Sequence, residues 1–130
     1  MSLPGVRYLI DTNVAIWLDS DLKRVSRQAL EVLDEPDANL WVSSVSFWEL
    51  SIKQCLGKFD PGLRLGRVLK TYRMQELTVT SKYADAVREL PLLHGDPFDR
   101  MLVAQAMVEG MVLVTGDRRL AGYAVGVLQV

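Results

Sequence analysis

Two acidic residues follow apolar stretches that are typical of buried strands. Asp11 comes directly after the stretch at residues 6–10, and Asp117 comes just beyond the apolar run at residues 111–115. In open parallel sheets, ligands bind in the crevice outside the carboxyl ends of the strands. We therefore expect both carboxylates to lie in such a crevice, where unpaired negative charges would attract a cation. The simpler interpretation is that each acid only turns the chain or caps a helix.

The stretch at residues 94–106 carries a third acid on a predicted helix. Pro97 has a fixed φ and no N–H, which suits the first helical position, and Asp96 suits the N-cap. Gly110 should end this helix. Asp99 could then be a first-turn acid that the helix dipole stabilises. It also shares one stripe of the helix with three residues of core type: Leu102, Val103 and Ala106.

Glu49 is the fourth acid, on a helix predicted after the strand at residues 40–42. That helix should begin at residues 43–46. Glu49 fits a capping box begun by Ser46, or an ion pair with Lys53 one turn later. It also shares the inner face with the residues that we predict to form the core stripe: Val45, Trp48, Ile52 and Leu56.

The four acids come from four separate segments that can converge at one end of a sheet. Carboxylates held close together would repel one another and shift their pKa values unless a cation neutralised them. Carboxylate oxygens favour Mg²⁺, with Mn²⁺ as a substitute. We therefore interpret the four acids as a divalent-metal site. Relief of repulsion should make neutral substitutions at Asp99 or Asp117 stabilise the metal-free protein.

The remaining elements predict an α/β fold, with a central and mainly parallel sheet flanked by helices in three layers. The run at residues 111–115 is apolar throughout, which suits a strand buried on both faces. Strands are predicted at residues 6–10, 40–42, 77–79, 111–115 and 125–130. Helices are predicted at residues 14–18, 27–35, 43–56, from 61 to 72, from 81 to 90, and from 97 to 109, with a helical turn at 117–123.

Length, charge and cysteine content limit the classes of protein. A chain of 130 residues, 49% of them apolar, predicts one globular domain over residues 1–130. The net charge of −1 gives no overall basic field, so nucleic-acid binding would depend on local patches. A single cysteine, Cys55, excludes an internal disulfide, and with one histidine it excludes a zinc cluster of the usual kind. We expect Cys55 to pack on an apolar helix face.

The beginning of the chain has neither a basic run nor an apolar segment of the signal-peptide type. No apolar run is long enough to span a membrane. We therefore expect a cytoplasmic protein, and interpret residues 1–3 as an added leader.

These motifs resemble those of the PIN-domain ribonucleases, and in particular the VapC toxins of bacterial and archaeal toxin–antitoxin pairs. The likeness runs from about Tyr8 to Val130, and the sequence Asp-Pro-Phe-Asp-Arg at residues 96–100 is its most specific part. The other shared motifs are Asp11-Thr12-Asn13, Trp48-Glu49-Leu50 and Thr115-Gly116-Asp117. The resemblance implies a PIN-like fold and metal-binding catalytic acids at Asp11, Glu49, Asp99 and Asp117. It also implies nearby polar supports at Thr12, Asn13, Ser44 and Thr115.

Such a site would hydrolyse an RNA phosphodiester with water activated by Mg²⁺, leaving a 5′-phosphate and a 3′-hydroxyl. The sequence offers no convincing Ser–His or Cys–His pair for covalent catalysis. We interpret His94, which stands beside a turn, as a loop or capping residue. The candidates for RNA contact are basic residues close in sequence to the acids: Lys53, Arg100, Arg118 and Arg119.

Three functions are compatible with these residues. The first, which the short length favours, is a Mg²⁺-dependent endoribonuclease toxin held inactive by a small cognate antitoxin. For this function the resemblance also implies a homodimer. The second is a PIN-type nuclease of RNA processing or repair without an antitoxin, and the third is a non-catalytic α/β binding module. Phe47 and Leu50 lie off the predicted core stripe, so they mark either a partner surface or a contact with the helix that contains Leu65.

Overall fold

The computed structural model describes residues 5–123 and 125–130. Its strands are β1 (Arg7–Ile10), β2 (Asn39–Ser43), β3 (Gln75–Leu77), β4 (Val112–Thr115) and β5 (Val127–Gln129). Its α-helices are α1 (Thr12–Ser20), α2 (Arg27–Leu33), α3 (Ser44–Cys55), α4 (Leu65–Tyr72), α5 (Ser81–Ala86) and α6 (Pro97–Glu109). Short 3₁₀ helices occupy Leu22–Arg24, Val87–Glu89 and Arg118–Gly122. The leader proposed at residues 1–3 lies outside the described residues. Among the described helices, none has the length and hydropathy needed to cross a bilayer.

The five strands form one parallel sheet in the order β3-β2-β1-β4-β5. The predicted α/β fold with a parallel central sheet is therefore confirmed. From β1 the chain builds β2 and β3 on one side, and it then crosses to place β4 and β5 on the other. The order of strands thus reverses between the carboxyl ends of β1 and β4, which is where open α/β sheets bind ligands. Asp11 and Asp117 follow these two strands.

Helices cover both faces of the sheet. Successive strand residues point to opposite faces, so each strand contributes side chains to the cores on both sides. Ile10 packs into a core with residues of α1, α2 and α4, whereas Leu9 and Leu113 pack with residues of α5 and α6. The helix α3 contributes Leu50 to the first core and Val45 to the second. The protein is therefore the three-layer sandwich that the sequence predicts, and α3 contributes to the cores on both sides of the sheet.

The buried face of α3 differs from the predicted stripe. Trp48 is 61% exposed and Leu56 is 64% exposed, so the prediction that both lie in the core is wrong. Phe47 and Leu50 instead pack into the first core together with Leu65. Of the two alternatives left open by the sequence, contact with the helix that contains Leu65 is therefore correct. The reason is that α3 packs against both α1 and α6. These two neighbours, rather than one apolar stripe, determine which residues the helix buries.

The two ends of α3 also correct the sequence interpretation. The N-cap is Ser43, whose hydroxyl accepts the N–H of Val45 at 3.1 Å. Ser46 is therefore not the start of a capping box, and its hydroxyl instead accepts a hydrogen bond from Thr12 at 2.8 Å. Cys55 is exposed at the last turn, so the packing role expected for it is wrong.

Two elements are shifted along the chain relative to the prediction. Gly62 donates its N–H to the Asp60 carboxylate at 2.7 Å, which forms a separate turn, and α4 begins later than predicted, at Leu65. The strand expected at residues 77–79 ends at Leu77, where its pairing with β2 stops. The N–H of Val79 leaves the sheet and donates to the hydroxyl of Ser44.

Candidate active site

Asp11 caps α1 and is tied to the end of β4. One carboxylate oxygen accepts the N–H of Val14 at 2.8 Å. The other accepts a short hydrogen bond from the hydroxyl of Thr115. Burial raises the pKa of Asp11 to about 6, although these two bonds act in the opposite direction. The interpretation of Asp11 as a cap is thus correct but incomplete, because a cap alone would not need a carboxylate buried to 4% exposure.

Asp99 lies in the first turn of α6, on the inward stripe predicted for it. The helix begins as expected, with Pro97 in its first turn and the carboxylate of Asp96 accepting the N–H groups of Phe98 and Asp99. Burial raises the pKa of Asp99 to about 7, and the negative charges of Asp96 and Asp11 add to the effect. A helix N-terminus would lower the pKa of an exposed acid. The first-turn interpretation therefore does not account for Asp99.

Asp117 follows β4, and its negative charge is stabilised by neighbouring donors. Arg119 donates to both carboxylate oxygens, at 3.0 and 2.9 Å. This guanidinium, together with His94, holds the pKa of Asp117 well below its usual range. The Asp117 N–H donates to the hydroxyl of Thr115 at 3.0 Å, so Thr115 connects Asp11 to the turn that carries Asp117.

His94 is buried among the acids, which the sequence interpretation missed. Its Nε2 lies 2.9 Å from Oδ2 of Asp117 and 3.2 Å from Oδ2 of Asp99. Its Nδ1 accepts the N–H of Asp96 at 3.0 Å, so the loop role predicted for His94 is only part of what it does. A ring nitrogen that accepts a hydrogen bond carries no proton, so the neutral ring has its proton on Nε2.

The position of that proton decides what His94 can bind. His94, Asp99 and Asp117 each offer an atom within 4.8 Å of the others, a spacing that a metal ion could bridge. With its proton on Nε2, however, the imidazole donates to Asp117, and that nitrogen has no free lone pair for a cation. His94 is therefore a hydrogen-bond donor within the acidic cluster, which leaves the carboxylate oxygens as the candidate ligand atoms.

Glu49 projects from α3 and is 3% exposed. Nζ of Lys53 lies 2.5 Å from its Oε2, which is the ion pair expected from their spacing. Its Oε1 is buried and has no hydrogen-bond partner among the described residues. The charge of Glu49 acts on both Asp11 and Asp99, so all four acids belong to one cluster. A buried carboxylate oxygen without a partner is costly, and a cation or a water molecule held by one would satisfy it.

A cavity of about 310 Å³ opens beside three of the acids. Two residues predicted to assist the site, Asn13 and Arg118, also line it, and Trp17 and Gly116 complete its wall. The acids that line it are Asp11, Asp99 and Asp117.

Other residues predicted to assist the site act at a distance from the cavity. The hydroxyl of Thr12 donates to Ser46 and so connects α1 to α3. The hydroxyl of Ser44 accepts the N–H of Val79 and so connects α3 to the chain after β3. Arg100 donates to the carbonyl oxygens of Val87 and Pro91, which ties α6 to the segment before it. The structure thus places Arg100 in a structural network rather than in the cavity wall.

The donor set fits a hard divalent cation. Asp11 and Asp99 have raised pKa values because burial and neighbouring negative charges disfavour their charged forms. Glu49 adds a buried oxygen without a described donor. Oxygen ligands of this type suit Mg²⁺ or Mn²⁺, whose charge would offset the repulsion between them. The cluster is therefore a candidate metal-binding site.

Comparison with known proteins identifies the family of this chain. The family model described as the PIN domain matches residues 8–126. The chain belongs to the PIN-domain family. This PIN domain is 30% identical over 119 residues to Ribonuclease VapC22 of Mycobacterium tuberculosis, a match that covers 88% of this chain and 90% of that protein. The resemblance seen in the sequence is confirmed, and the chain is a nuclease of the VapC type.

Solved structures of toxin–antitoxin complexes contain chains with the same fold as this PIN domain. One is VapBC2 from Rickettsia felis bound to a DNA fragment from its promoter, with a TM-score of 0.72, 17% identity, and coverage of 95% of this chain and 98% of that chain. Another is a toxin–antitoxin complex from Klebsiella pneumoniae, with a TM-score of 0.65, 21% identity, and coverage of 94% and 96%. At these identities the likeness establishes the fold alone.

Proposed function

We propose that this PIN domain is a Mg²⁺-dependent endoribonuclease and the toxin of a type II toxin–antitoxin pair. The observation that carries the proposal is the convergence of the four acids at the point where the strand order reverses. RNA as the substrate is supported by the ribonuclease name of the similar Mycobacterium tuberculosis protein.

Asp11 and Asp99 are the proposed direct ligands of the cation, because both line the cavity and both gain most from a neighbouring positive charge. When bound, Mg²⁺ would lower the pKa of a water molecule and stabilise negative charge on the phosphoryl oxygens. Thr115 fixes the carboxylate of Asp11. Asp117 would complete the site with its orientation set by His94 and Arg119.

Glu49 is the proposed acceptor of the proton from the attacking water. A general base needs an oxygen that is not already engaged by a donor. Oε1 of Glu49 meets this condition, whereas both oxygens of Asp117 accept hydrogen bonds. Lys53 holds the other oxygen of Glu49 and so fixes the direction of the free one. Because water attacks the phosphorus, the products should carry a 5′-phosphate and a 3′-hydroxyl.

A small antitoxin is the proposed protein partner, since the similar solved structures are toxin–antitoxin complexes. The acidic cavity would be blocked by a basic side chain of that partner, because a guanidinium or ammonium group can take the place of the cation among the carboxylates. A homodimer and a cytoplasmic location remain proposals that rest on the family resemblance. Arg118, which lines the cavity, and Lys53 and Arg119, which pair with the acids, remain the candidates for contact with RNA.

Cleavage of a labelled single-stranded RNA by the purified protein tests the enzymatic part of the proposal. The wild type should cleave in Mg²⁺, stop in EDTA and recover with excess Mg²⁺, whereas Asp11→Asn should stay inactive throughout. The matched control is Asp85→Asn, which changes an exposed aspartate that pairs with Arg88 and should keep full activity. Circular dichroism must show both variants folded. Wild-type activity in Asp11→Asn, or activity that survives EDTA, would contradict the proposal.

Expression in cells tests the toxin part separately. Wild-type protein should arrest growth, Asp11→Asn should not, and co-expression of the neighbouring small protein should restore growth. A protein that cleaves RNA in vitro but neither arrests growth nor binds that neighbour would fit the RNA-processing alternative instead.

A further inference from the structure

The cavity beside the acids has an aromatic wall that the proposed chemistry does not use. Trp17 lines it from α1, next to Asn13, Gly116 and Arg118. Neither binding a cation nor moving a proton requires an indole. Trp17 packs partly against the first core, and the rest of its surface lies at the edge of a polar cavity, where it is placed to contact the substrate.

The position of Trp17 is fixed by the turn after β4. A Cβ atom at Gly116 would lie 3.0 Å from both Cζ3 and Cη2 of the indole, closer than such atoms normally approach. A larger residue at this position would push the tip of the ring away by a few tenths of an ångström, so Gly116 lets the indole lie against the turn that leads to Asp117.

A positively charged planar group extends this aromatic wall. The guanidinium of Arg24 lies over the Trp17 ring, 5.3 Å from its centroid. The Arg24 side chain is 62% exposed, and its ion pair with Asp21, at 3.7 Å, is a surface pair of the kind that contributes little. Arg24 can therefore remain near the indole and still meet a ligand. Arg118 lines the cavity itself and brings a second positive charge to the neighbourhood of the indole.

We infer that Trp17, Arg24, Asn13 and Arg118 bind the nucleotide that flanks the cleaved phosphate. This inference rests on the proposed ribonuclease function. An unpaired base stacks on the indole, the two arginines bind backbone phosphates, and the amide of Asn13 offers a donor and an acceptor to the edge of the base. Aromatic stacking beside positive groups is how proteins hold single-stranded nucleic acid. Because a paired base must first lose its pairing and stacking to reach the indole, the enzyme prefers unpaired RNA over duplex RNA.

The chain provides a matched control in a second tryptophan. Trp48 is 61% exposed and packs edge-on against Phe98, with ring centroids 5.4 Å apart. It does not line the cavity that holds the aspartates. Trp17→Leu and Trp48→Leu therefore make the same chemical change inside and outside the inferred nucleotide site.

Steady-state cleavage of a short fluorogenic single-stranded RNA in Mn²⁺ tests the inference. Trp17→Leu should raise KM about tenfold with a much smaller change in kcat, as expected for the loss of one stacked base. Trp17→Phe, which keeps a stacking ring, should stay close to the wild type, and Trp48→Leu should match it. Arg24→Gln should raise KM several-fold, and it keeps the test valid even if Trp17→Leu does not fold.

A purely structural role for Trp17 predicts a different pattern. If the indole only supported the turn before Asp117, Trp17→Leu would also reduce the rise in melting temperature that Mn²⁺ produces. We expect that rise to be unchanged. An unchanged KM in both Trp17→Leu and Arg24→Gln would overturn the inference and leave this wall to a protein partner. Loss of the Mn²⁺ effect in Trp17→Leu would also overturn it.

Binding without cleavage separates this inference from the proposed function. If the wild type failed to cleave RNA at all, the ribonuclease proposal would fail. Fluorescence anisotropy of the same RNA in Ca²⁺ would still show whether Trp17→Leu binds it about tenfold more weakly than Trp48→Leu does. Equal affinities in that experiment would overturn the inferred nucleotide site.

Discussion

Nε2 of His94 lies 2.9 Å from Oδ2 of Asp117, and its N–H donates a hydrogen bond to that carboxylate. The proton is on Nε2 because Nδ1 accepts the N–H of Asp96. His94 thus holds Asp117 from the segment before α6, while Arg119 holds it from the turn after β4. Groups that orient a ligand from outside the metal site commonly affect metal affinity as much as activity.

His94→Ala should therefore weaken Mn²⁺ binding by about 10- to 100-fold, the range found for lost outer contacts to metal ligands. His94→Gln keeps an amide N–H that can reach the carboxylates, so it should lose less. Calorimetric titration with Mn²⁺ measures both effects. If His94→Ala bound Mn²⁺ as tightly as the wild type, the assigned role of His94 would be wrong.

Asp99 and Asp117 should respond in opposite ways to neutralisation in EDTA. Asp99→Asn removes a charge that burial and other acids disfavour, so it should raise the melting temperature by about 3 °C for each kcal/mol of repulsion relieved. Asp117→Asn removes a charge that Arg119 and His94 stabilise, so it should lower the melting temperature.

Thermal melts at pH 8 check this pair, with Asp85→Asn as the surface control that should barely move. Like-charge repulsion alone predicts that both site variants are stabilised. The donors around Asp117 restrict that expectation to Asp99. A rise for Asp117→Asn would show that its donors do not offset the repulsion.

The metal-free protein should become more stable as pH falls from about 8 to about 5. The pKa values of Asp11 and Asp99 are raised in the folded state from 3.8 to about 6 and about 7. The folded state then binds more protons than the unfolded state in this window, so its stability is lost as pH rises through these values. The lowered pKa of Asp117 acts in the opposite direction, but only below this window.

Chemical denaturation in EDTA across this pH range measures the slope. Asp99→Asn should flatten it, and saturating Mg²⁺ should flatten it as well, because a bound cation replaces the protons. Stability that stays constant or increases from pH 5 to pH 8 in EDTA would contradict the raised pKa values.

Lys53 should stabilise the metal-free protein mainly by compensating the buried charge of Glu49. Lys53→Met leaves that carboxylate without its cation and should destabilise the metal-free protein by about 1–3 kcal/mol, since one partner of a largely buried pair remains charged. Adding Glu49→Gln should recover most of this loss. Urea unfolding of the two single variants and the double variant measures the coupling, and strictly additive effects would exclude it.

Local sequence rules predicted much of the site because they concern short segments. Asp96 and Pro97 define the start of α6, and this start places Asp99 on the buried stripe. The apolar runs before Asp11 and Asp117 define parallel strands whose carboxyl ends meet. The convergence of the acids therefore follows from strand ends and helix phase, both of which can be deduced from the sequence.

The features that were missed depend on contacts between distant segments. His94 shows no helical or strand pattern, and only the folded chain brings its Nε2 to Asp99 and Asp117. The face of α3 is decided by its two helical neighbours, so Trp48 is exposed despite its apolar character. The pairing of Arg119 with Asp117 could have been predicted, because the two residues lie two positions apart in one short turn.

The proposal that the acids share one cation is tested most directly by calorimetric titration of Mn²⁺ into the metal-free protein. The proteins to compare are the wild type, Asp11→Asn, Asp99→Asn and the surface control Asp85→Asn. The wild type and Asp85→Asn should show the same saturable binding. Asp11→Asn and Asp99→Asn, which lie on different elements, should each weaken that binding at least about tenfold, the lower end of the effects seen around metal sites. Wild-type affinity in both site variants would show that the carboxylates do not bind a common cation.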